Sequence, residues 1–374
     1  MINPIARKEE FVMQLDMHYY GTYALARTAG LTSKACKIIA TAAQFVDDNA
    51  ASFQIEFQDG GRIDSQATAH HPSSVVRNRD TSDQRRVWVP FHFLPGNEGQ
   101  TFSERLLCRK DSFISRTMVK NHLKYAKQDI GVYLIGIAAH IYADTFAHWG
   151  FSGVGSRRNK IDNDSFEFEQ GLDPDIADYI QGKAEDFFRR YGKGGGLIAN
   201  VKSWLAETIS GALGHGAVAT YPDRPYLKWS FEYEYPKRLR VERDNPRHFL
   251  DGCRALHQLF SQFGKSNSEL SAGDSVKFTD IKDTVVAIIA YQGKKADRIK
   301  QWRKAAKNGN LGGKPFQIPT YRPENWMQEA ANMNSREDSR AALKSNLYRF
   351  YQAASLHRQF VLRELLPDNH LVVA

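Results

Sequence analysis

The chain has 374 residues, 42% of them hydrophobic, enough to bury a large core in one extended domain or two closely joined ones. A formal charge of +9 and a sequence pI of about 9.3 suit an anionic partner such as a phosphoester, a nucleic acid or a membrane surface, without selecting among them. Cys36, Cys108 and Cys253 lie far apart with no CxxC pair, which argues against a thiolate zinc knuckle or a disulfide framework, and no apolar run approaches the ~18 residues of a membrane span.

The first segment, "MINPIARKEEFVMQLDMHYYG", carries charge early and lacks the apolar stretch of a signal peptide. A cytoplasmic protein is expected, which suits reduced cysteines; non-classical secretion would leave no mark in such a sequence. Asp16 and His18 are the first candidate ligands. If their segment is helical they point to different sides, so Asp16 would orient the site or ligate from an adjacent turn. From Gly30, "GLTSKACKIIATAAQFVDDN" predicts a helix capped by Thr32, with Ala35, Ile38, Ile39, Ala42 and Val46 as its apolar stripe. Asp47 flanks that stripe and Asp48 falls nearly opposite, which makes Asp47 the better inward ligand, though both stay candidates because helix ends fray. Two carboxylates at a helix C-terminus oppose its dipole, and a cation would offset them.

Residues 53 to 93 change character. "SFQIEFQDGGRIDSQATAHH" alternates about an Asp-Gly-Gly turn and predicts a hairpin, and "RRVWVPFHF" also reads as extended before "LPGNEG" breaks it. His92, flanked by large apolar groups, is either a core histidine bonded to a backbone carbonyl or a ligand. His70 and His71 precede Pro72 in a polar loop, where exposure is the default. Helical periodicity returns around 101–109 and 114–150.

Within the latter, "GIAAHIYADTFAHWGF" places His140, Asp144 and His148 four residues apart in an apolar run, so all three project from one stripe over two turns. Burying such groups together costs free energy unless each finds a partner. A metal accepts all three donor types; a metal-free hydrogen-bond network is the other explanation. Residues 151–175, rich in Gly, Arg, Asn and Asp, read as a long loop beside the end of this helix.

Further helices are expected at about 175–191, 197–212, 246–263, 280–307 and 338–364. "YGKGGG" lacks the spacing and the final Lys-Ser/Thr of a P-loop and reads as a flexible connection. His215, between two glycines, suits a ligand brought in at a helix end or a cap, and Asp223 and Arg224 follow in a Pro-rich turn. "GKSNSELSAGDS" marks a boundary between a helical metal-site domain at 1–264, with a β insertion around 53–93, and a helical C-terminal region at 265–374 packed on the same core. In the latter, "YQGKKADRIKQWRKAAKNGNLGG" is a basic helix, read first as a solvated face. The architecture is mainly α with a small β-hairpin insertion, since the strand–helix alternation of a dinucleotide fold is absent.

Chemically, the ligand pattern suits two or more divalent ions acting on a phosphoester with metal-activated water. The ligand set would draw on Asp16, His18, Asp47, Asp48, His92, His140, Asp144, His148 and His215. Asp47 and Asp144 would serve catalysis as bridging carboxylates, and Arg157, Arg158 or Arg224 would face substrate charge. Zinc suits mixed His and Asp ligation, as do iron and manganese. There is no GxSxG nucleophile elbow. The rival expectation is a non-enzymatic, metal-stabilised protein that binds a macromolecule through its basic surface.

"DMHYYGTYALARTAGL", "AAQFVDDN", "HIYADTFAHWGF" and "GHGAVATYPDRPYLKW" together resemble the DUF6765 family of uncharacterised bacterial and fungal proteins, over most of residues 15–230. The His-xxx-Asp helix is also similar to the central helix of the zinc-dependent phospholipase C and S1/P1 nuclease group. That likeness implies a multi-helical metal-bearing core, ligation by His140 and Asp144 with His148 near the next histidine ligand, and hydrolysis of phospholipid, nucleotide or nucleic acid. It would give His18 and Asp47 the roles of early ligands, His92 an intermediate one and His215 a late one. Transient contact with a membrane surface would follow from a lipid substrate. Tyr19, Tyr20, Trp149 and Phe151 are available to line a lipid or nucleobase pocket, with core packing as their alternative. The departures are the shorter Asp-to-His spacing and the absence of that group's N-terminal tryptophan.

Overall fold

The computed structural model describes residues 15–50, 53–69, 81–192, 218, 220–236, 239–333 and 339–373. The expected helix at 197–212, His70, His71 and His215 lie outside them. The chain is mainly helical. A π-helical turn, Asp16–Gly21, leads into α1 (Thr22–Thr28), and α2 (Ser33–Asp48) starts where the Thr32 hydroxyl accepts the Ala35 amide. The expected hairpin forms as β1 (Gln54–Glu56) and β2 (Arg62–Asp64), with Ile55 opposite Ile63.

"RRVWVPFHF" is not extended. It folds as α3 (Thr81–Arg86) and α4 (Trp88–Phe91). Pro90 sits in the first turn of α4, where a helix does not use its missing N–H, and a short apolar run has no period to separate strand from helix. The periodic stretch at 101–109 shrinks to one capped turn, α5 (Phe102–Arg105). That at 114–150 divides into α6 (Phe113–Leu123) and α7 (Gly131–Ala147). Gly131 permits the turn between them, because a Cβ there would lie 2.3 Å from the Tyr125 carbonyl oxygen.

α7 is buried on almost every side, which is why it is apolar all round rather than striped. It packs most extensively on α2, and also on α6, α9 (Asn245–Ser266) and α13 (Asn346–Phe360). The approach of α2 to α7 is close at Gly136, where a Cβ would come within 2.6 Å of both Ala42 Cβ and the Ile39 carbonyl oxygen. One apolar core runs from Met17 through this bundle to Val373, and Phe45 of α2 touches both Trp326 and Phe350 at ring separations of 5.3 and 5.0 Å.

The segment expected to be a loop at 151–175 contains β3 (Ile161–Phe168), the edge of an antiparallel sheet in the order β3-β4-β5 with β4 (Lys228–Tyr233) and β5 (Leu239–Asp244). Its polar letters hid the alternation of Phe166 and Phe168, and the pairing that stabilises it comes from residues about 65 positions away. This sheet and α8 (Pro174–Gly192) enclose a second core that includes Phe93, Phe151, Ile180, Trp229 and Phe231. The expected helix at 280–307 is two, α10 (Phe278–Ile289) and α11 (Lys295–Lys307), parted at Gly293, whose carbonyl accepts from Arg298. After α12 (Glu324–Met333), the last periodic stretch holds a 3-10 segment (Ser339–Lys344), α13 and a π-helical turn (Val361–Leu365). Among the described residues no helix is long and apolar enough to cross a membrane.

Candidate metal centre

His140 and Asp144 stand one turn apart on α7, with His140 Nε2 3.2 Å from Asp144 Oδ2. Three further elements aim donors at this pair. The π-helical turn brings His18, whose Nε2 is 3.3 Å from Asp144 Oδ1 and whose ring stacks on that of His140 at 4.0 Å. The residue after α4 is His92, with Nδ1 3.3 Å from His140 Nε2 and 3.5 Å from Asp144 Oδ2. The end of α2 supplies Asp47, whose Oδ1 is 3.7 Å from both His92 Nδ1 and His140 Nε2. His18, His140 and Asp144 form one group able to hold a metal ion, and Asp47, His92 and His140 form another.

Three observations bear on that fit. His18, His140 and Asp144 are no more than 1% exposed, yet both nitrogens of His18, Nδ1 of His140, both oxygens of Asp144 and Oδ2 of Asp47 have no aligned hydrogen-bond partner. Buried polar atoms left so carry a desolvation penalty that a cation would remove. Ligand atoms about 2.0–2.2 Å from a tetrahedral ion lie roughly 3.3–3.6 Å apart, close to the observed spacings. Finally, His92 Nε2 donates to the Thr68 carbonyl at 2.8 Å, which fixes the tautomer and leaves the Nδ1 lone pair facing the cluster, as an outer hydrogen bond does for a metal-binding histidine. His140 Nδ1 lacks such a partner.

Thr68 is itself anchored. Its hydroxyl donates to the Val46 carbonyl at 2.6 Å, and Asn49, the residue that ends α2, donates to the Gln66 carbonyl at 2.6 Å. The loop that orients His92 is therefore tied to the helix end that presents Asp47.

The electrostatics divide the groups. Burial, with the neighbouring His18, holds the His140 imidazole down at about 3, so it is neutral as a ligand must be. Burial opposes charge on Asp144 as well, but the facing imidazoles of His140 and His148 keep its carboxyl well below the usual carboxylate range. Asp47 moves the other way, raised by burial and by the carboxylates of Asp144, Asp48 and Asp223.

Four expected site residues have other partners. Asp16 is spent on Arg298 of α11, whose Nε and Nη2 meet its two oxygens at 2.9 and 3.2 Å in a buried fork. Its side of the turn faces α11 while His18 faces α7, the divergence its two-residue spacing requires. Asp48 accepts from the Tyr321 hydroxyl at 2.5 Å and belongs to neither donor group. His148, at the end of α7, has Nδ1 3.0 Å from the His92 carbonyl oxygen and Nε2 3.1 Å from Asp223 Oδ1. Both acceptors are oxygens, so both nitrogens donate and none is left to ligate. Burial works against that charge, but Asp144 and Asp223 outweigh it and lift His148 to about 9. It is a countercharge. Arg224 donates to the Thr220 hydroxyl at 3.0 Å and lies over the Tyr179 ring, so it is its neighbour Asp223 that reaches the cluster, through His148.

Arg158 is held by Glu104 at 2.9 Å and Arg157 is exposed. Of the aromatic candidates, Tyr19 and Tyr20 are buried in the first core, Phe151 is in the second, and Trp149 donates to His248 Nδ1 and stacks under Arg243.

Over residues 13–365 the chain matches the model of a family of unknown function, DUF6765. The chain belongs to the DUF6765 family. The matched span contains every donor of the cluster and the Arg298 and Tyr321 that hold Asp16 and Asp48. No curated protein and no solved structure matches the chain. The functional residues that escaped the sequence are Asp223 as a partner for His148, Thr68 as the group that orients His92, and Arg298. None carries a local motif that ties it to the cluster.

Proposed function

We propose that this DUF6765 protein is a divalent-metal hydrolase acting on phosphoesters, with His18, His140 and Asp144 holding one ion and Asp47 and His92 extending the site toward a second. The observation that carries this reading is the convergence of five His and Asp donors with buried, unpartnered polar atoms on one point of α7. A nitrogen has one lone pair, so His140 Nε2 serves a single ion, whereas the carboxylates of Asp144 and Asp47 are able to bridge. Zinc suits the donor set and its spacing best; iron and manganese suit it too. A divalent ion supplies Lewis acidity toward a phosphoryl group and hydroxide near neutral pH.

The chain's own residues do the rest. Thr68 holds the His92 ring in its ligating tautomer. His148, protonated between Asp144 and Asp223, limits the negative charge that the substrate would meet. Asp47 keeps Oδ2 unpaired while Oδ1 faces the imidazoles, so its carboxylate has an oxygen left to accept from a water beside the ions. The likeness of the His-xxx-Asp helix to the phospholipase C and P1 nuclease group supports phospholipid, nucleotide or nucleic acid as the substrate, with the basic surface favouring any of these anions.

Elemental mass spectrometry of protein purified without added metal or chelator tests the reading. The wild type should carry about two equivalents of a first-row metal, and a folded His140→Ala/Asp144→Ala variant should lose them together with any release of diacylglycerol or phosphatidic acid from lipid, or cleavage of single-stranded nucleic acid. A wild type without stoichiometric metal even after remetallation would end this proposal. The depth of the cluster favours a second reading, a structural ion that stabilises the fold without turnover. Metal bound at full stoichiometry, with neither phosphoester activity nor exchange, would decide for it.

A further inference from the structure

Arg224, Arg243 and Arg298 are buried, at no more than 2% exposure, and two of the three have the partners that a buried guanidinium needs. Arg298 forks onto Asp16, and Arg243 donates to the Ala147 and Trp149 carbonyls at the end of α7. Arg224 has neither. Its Nη2 donates to the Thr220 hydroxyl at 3.0 Å, its Nη1 lies 3.5 Å from the Tyr226 hydroxyl and its Nε has no partner, and among the described residues no carboxylate pairs with it. Its guanidinium lies over the ring of Tyr179, on α8, at 5.3 Å. A ring repays only part of the cost of taking a full charge out of water, which leaves Arg224 an uncompensated buried cation.

Two lysines share that ring. Lys183, one turn further along α8, has Nζ 5.8 Å from its centroid and Lys294 has Nζ at 5.6 Å, and among the described residues neither pairs with a carboxylate. Lys294 is the N-cap of α11 and Lys295 its first residue, so cations stand where the helix dipole disfavours them, and no side chain caps the free amides. The frame around them is fixed. Gln292 Oε1 accepts the Asp173 amide at 2.7 Å and its Nε2 donates to the Gly171 carbonyl at 3.3 Å, which ties the start of α8 to the start of α11. Asp297, the acid in the first turn of α11, is taken by Lys300. The group adjoins the metal centre without sharing a donor with it. Arg224 follows Asp223, which meets His148. Burial pushes the Asp48 carboxyl up to about 6 and the charge of Lys295 opposes that, which sets the start of α11 beside the end of α2.

We propose that Arg224, Lys183 and Lys294 bind a phosphate group beside the metal centre, either as the free ion or as a phosphate monoester. Three cations supplied by a turn, α8 and α11 converge on one ring, and a phosphate dianion balances them where a single carboxylate does not. One guanidinium and two ammonium groups offer donors in several directions, which suits tetrahedral oxygens better than planar ones. The site stands on these residues alone and does not rest on an ion being bound next to it.

Calorimetric titration of the full-length, chelator-treated protein with inorganic phosphate and with adenosine monophosphate tests the assignment. Three variants accompany the wild type: Arg224→Gln and Lys183→Gln/Lys294→Gln in the site, and Lys304→Gln/Lys307→Gln in the exposed last turn of α11 as a control that removes as much charge as the first lysine pair. Thermal melts check that each is folded, and the site lysine pair carries the test should Arg224→Gln unfold. The expected result is saturable 1:1 binding of phosphate that weakens at least about tenfold in both site variants and stays unchanged in the control. Tighter binding of the monophosphate supports a phosphate monoester as the ligand, and its exclusion supports the free ion. Equal affinity in all the proteins overturns the proposal by placing the ligand elsewhere, and an equal loss in the control overturns it as diffuse surface charge. No binding of either probe also overturns it. Binding present before chelation and lost after it assigns the anion to the metal, which overturns this site and leaves the hydrolase reading intact; site-dependent binding by a protein that takes up no metal does the reverse.

Discussion

Asp223 and His148 form a pair that the buried cluster cannot easily lose. His148 donates from both nitrogens, so Asp223→Asn would leave an imidazolium facing an amide with one carboxylate, Asp144, to balance it. Removing one partner of a buried pair typically costs about 3–5 kcal/mol. Asp223→Asn should therefore lower the urea-unfolding midpoint by that equivalent, and an unchanged midpoint would show that the pair contributes nothing. A different outcome belongs to Thr68→Val, which keeps the backbone carbonyl that accepts from His92 but loses the hydroxyl bond to Val46. It should cost roughly 1–3 kcal/mol as an unsatisfied buried carbonyl, and should lower metal affinity without abolishing it. The stripe of His140, Asp144 and His148 was legible because four-residue spacing is a property of the helix itself. That His148 would end as a countercharge was not, since the oxygen that takes its second proton lies 75 residues further along the chain. Asp16 misled for the same reason, its fork with Arg298 joining positions 282 apart.

At the level of elements, the metal-bearing face depends on how closely α2 approaches α7. Gly136 sets that distance, and Gly136→Val would force its side chain into Ala42 and the Ile39 carbonyl. Overpacking of this kind costs about 1–3 kcal/mol. Because Asp47 lies in the last turn of α2, the variant should also show weaker metal retention than a control at Gly182, where a Cβ meets nothing within 4 Å. Equal metal content in the two proteins would disconnect the helix spacing from the site. Helices with one apolar face and a capping residue, such as α2 with Thr32 or α9 with its Asp244 cap, could be placed from the sequence to within a few residues. The three-stranded sheet could not. Its edge strand reads Ile-Asp-Asn-Asp-Ser-Phe-Glu-Phe, polar enough for a loop, and becomes a strand through its pairing with β4.

For the whole molecule, pH acts through two opposed sets of histidines. His122 and His357 are buried in mutual contact, Nε2 to Nδ1 at 2.8 Å, and His357 Nε2 donates to the Pro90 carbonyl. Burial lowers both, His357 to about 4. The unfolded chain therefore binds more protons than the folded one below about 6.5, and stability falls as pH drops from there toward 4. His148 is raised to about 9, so its contribution is complete below about 6.5 and is lost as pH rises through 9. The metal-free protein should be most resistant to urea near pH 6.5 and weaker on both sides; His357→Gln should make the acid limb shallower without abolishing it, because burial also lowers His122, His140, His248 and His257, and should leave the alkaline limb unchanged, while a monotonic profile would contradict one of the two assignments. The bridge between Asp16 and Arg298 adds an order in time. The turn that carries His18 receives its anchor from a residue 282 positions later, which at a synthesis rate of 5–20 residues per second reaches it roughly 15–60 s after the turn is made. In the later part of that interval α2 and α7 are already on the nascent chain, and the anchor of the turn that carries His18 follows them only once Arg298 has been made.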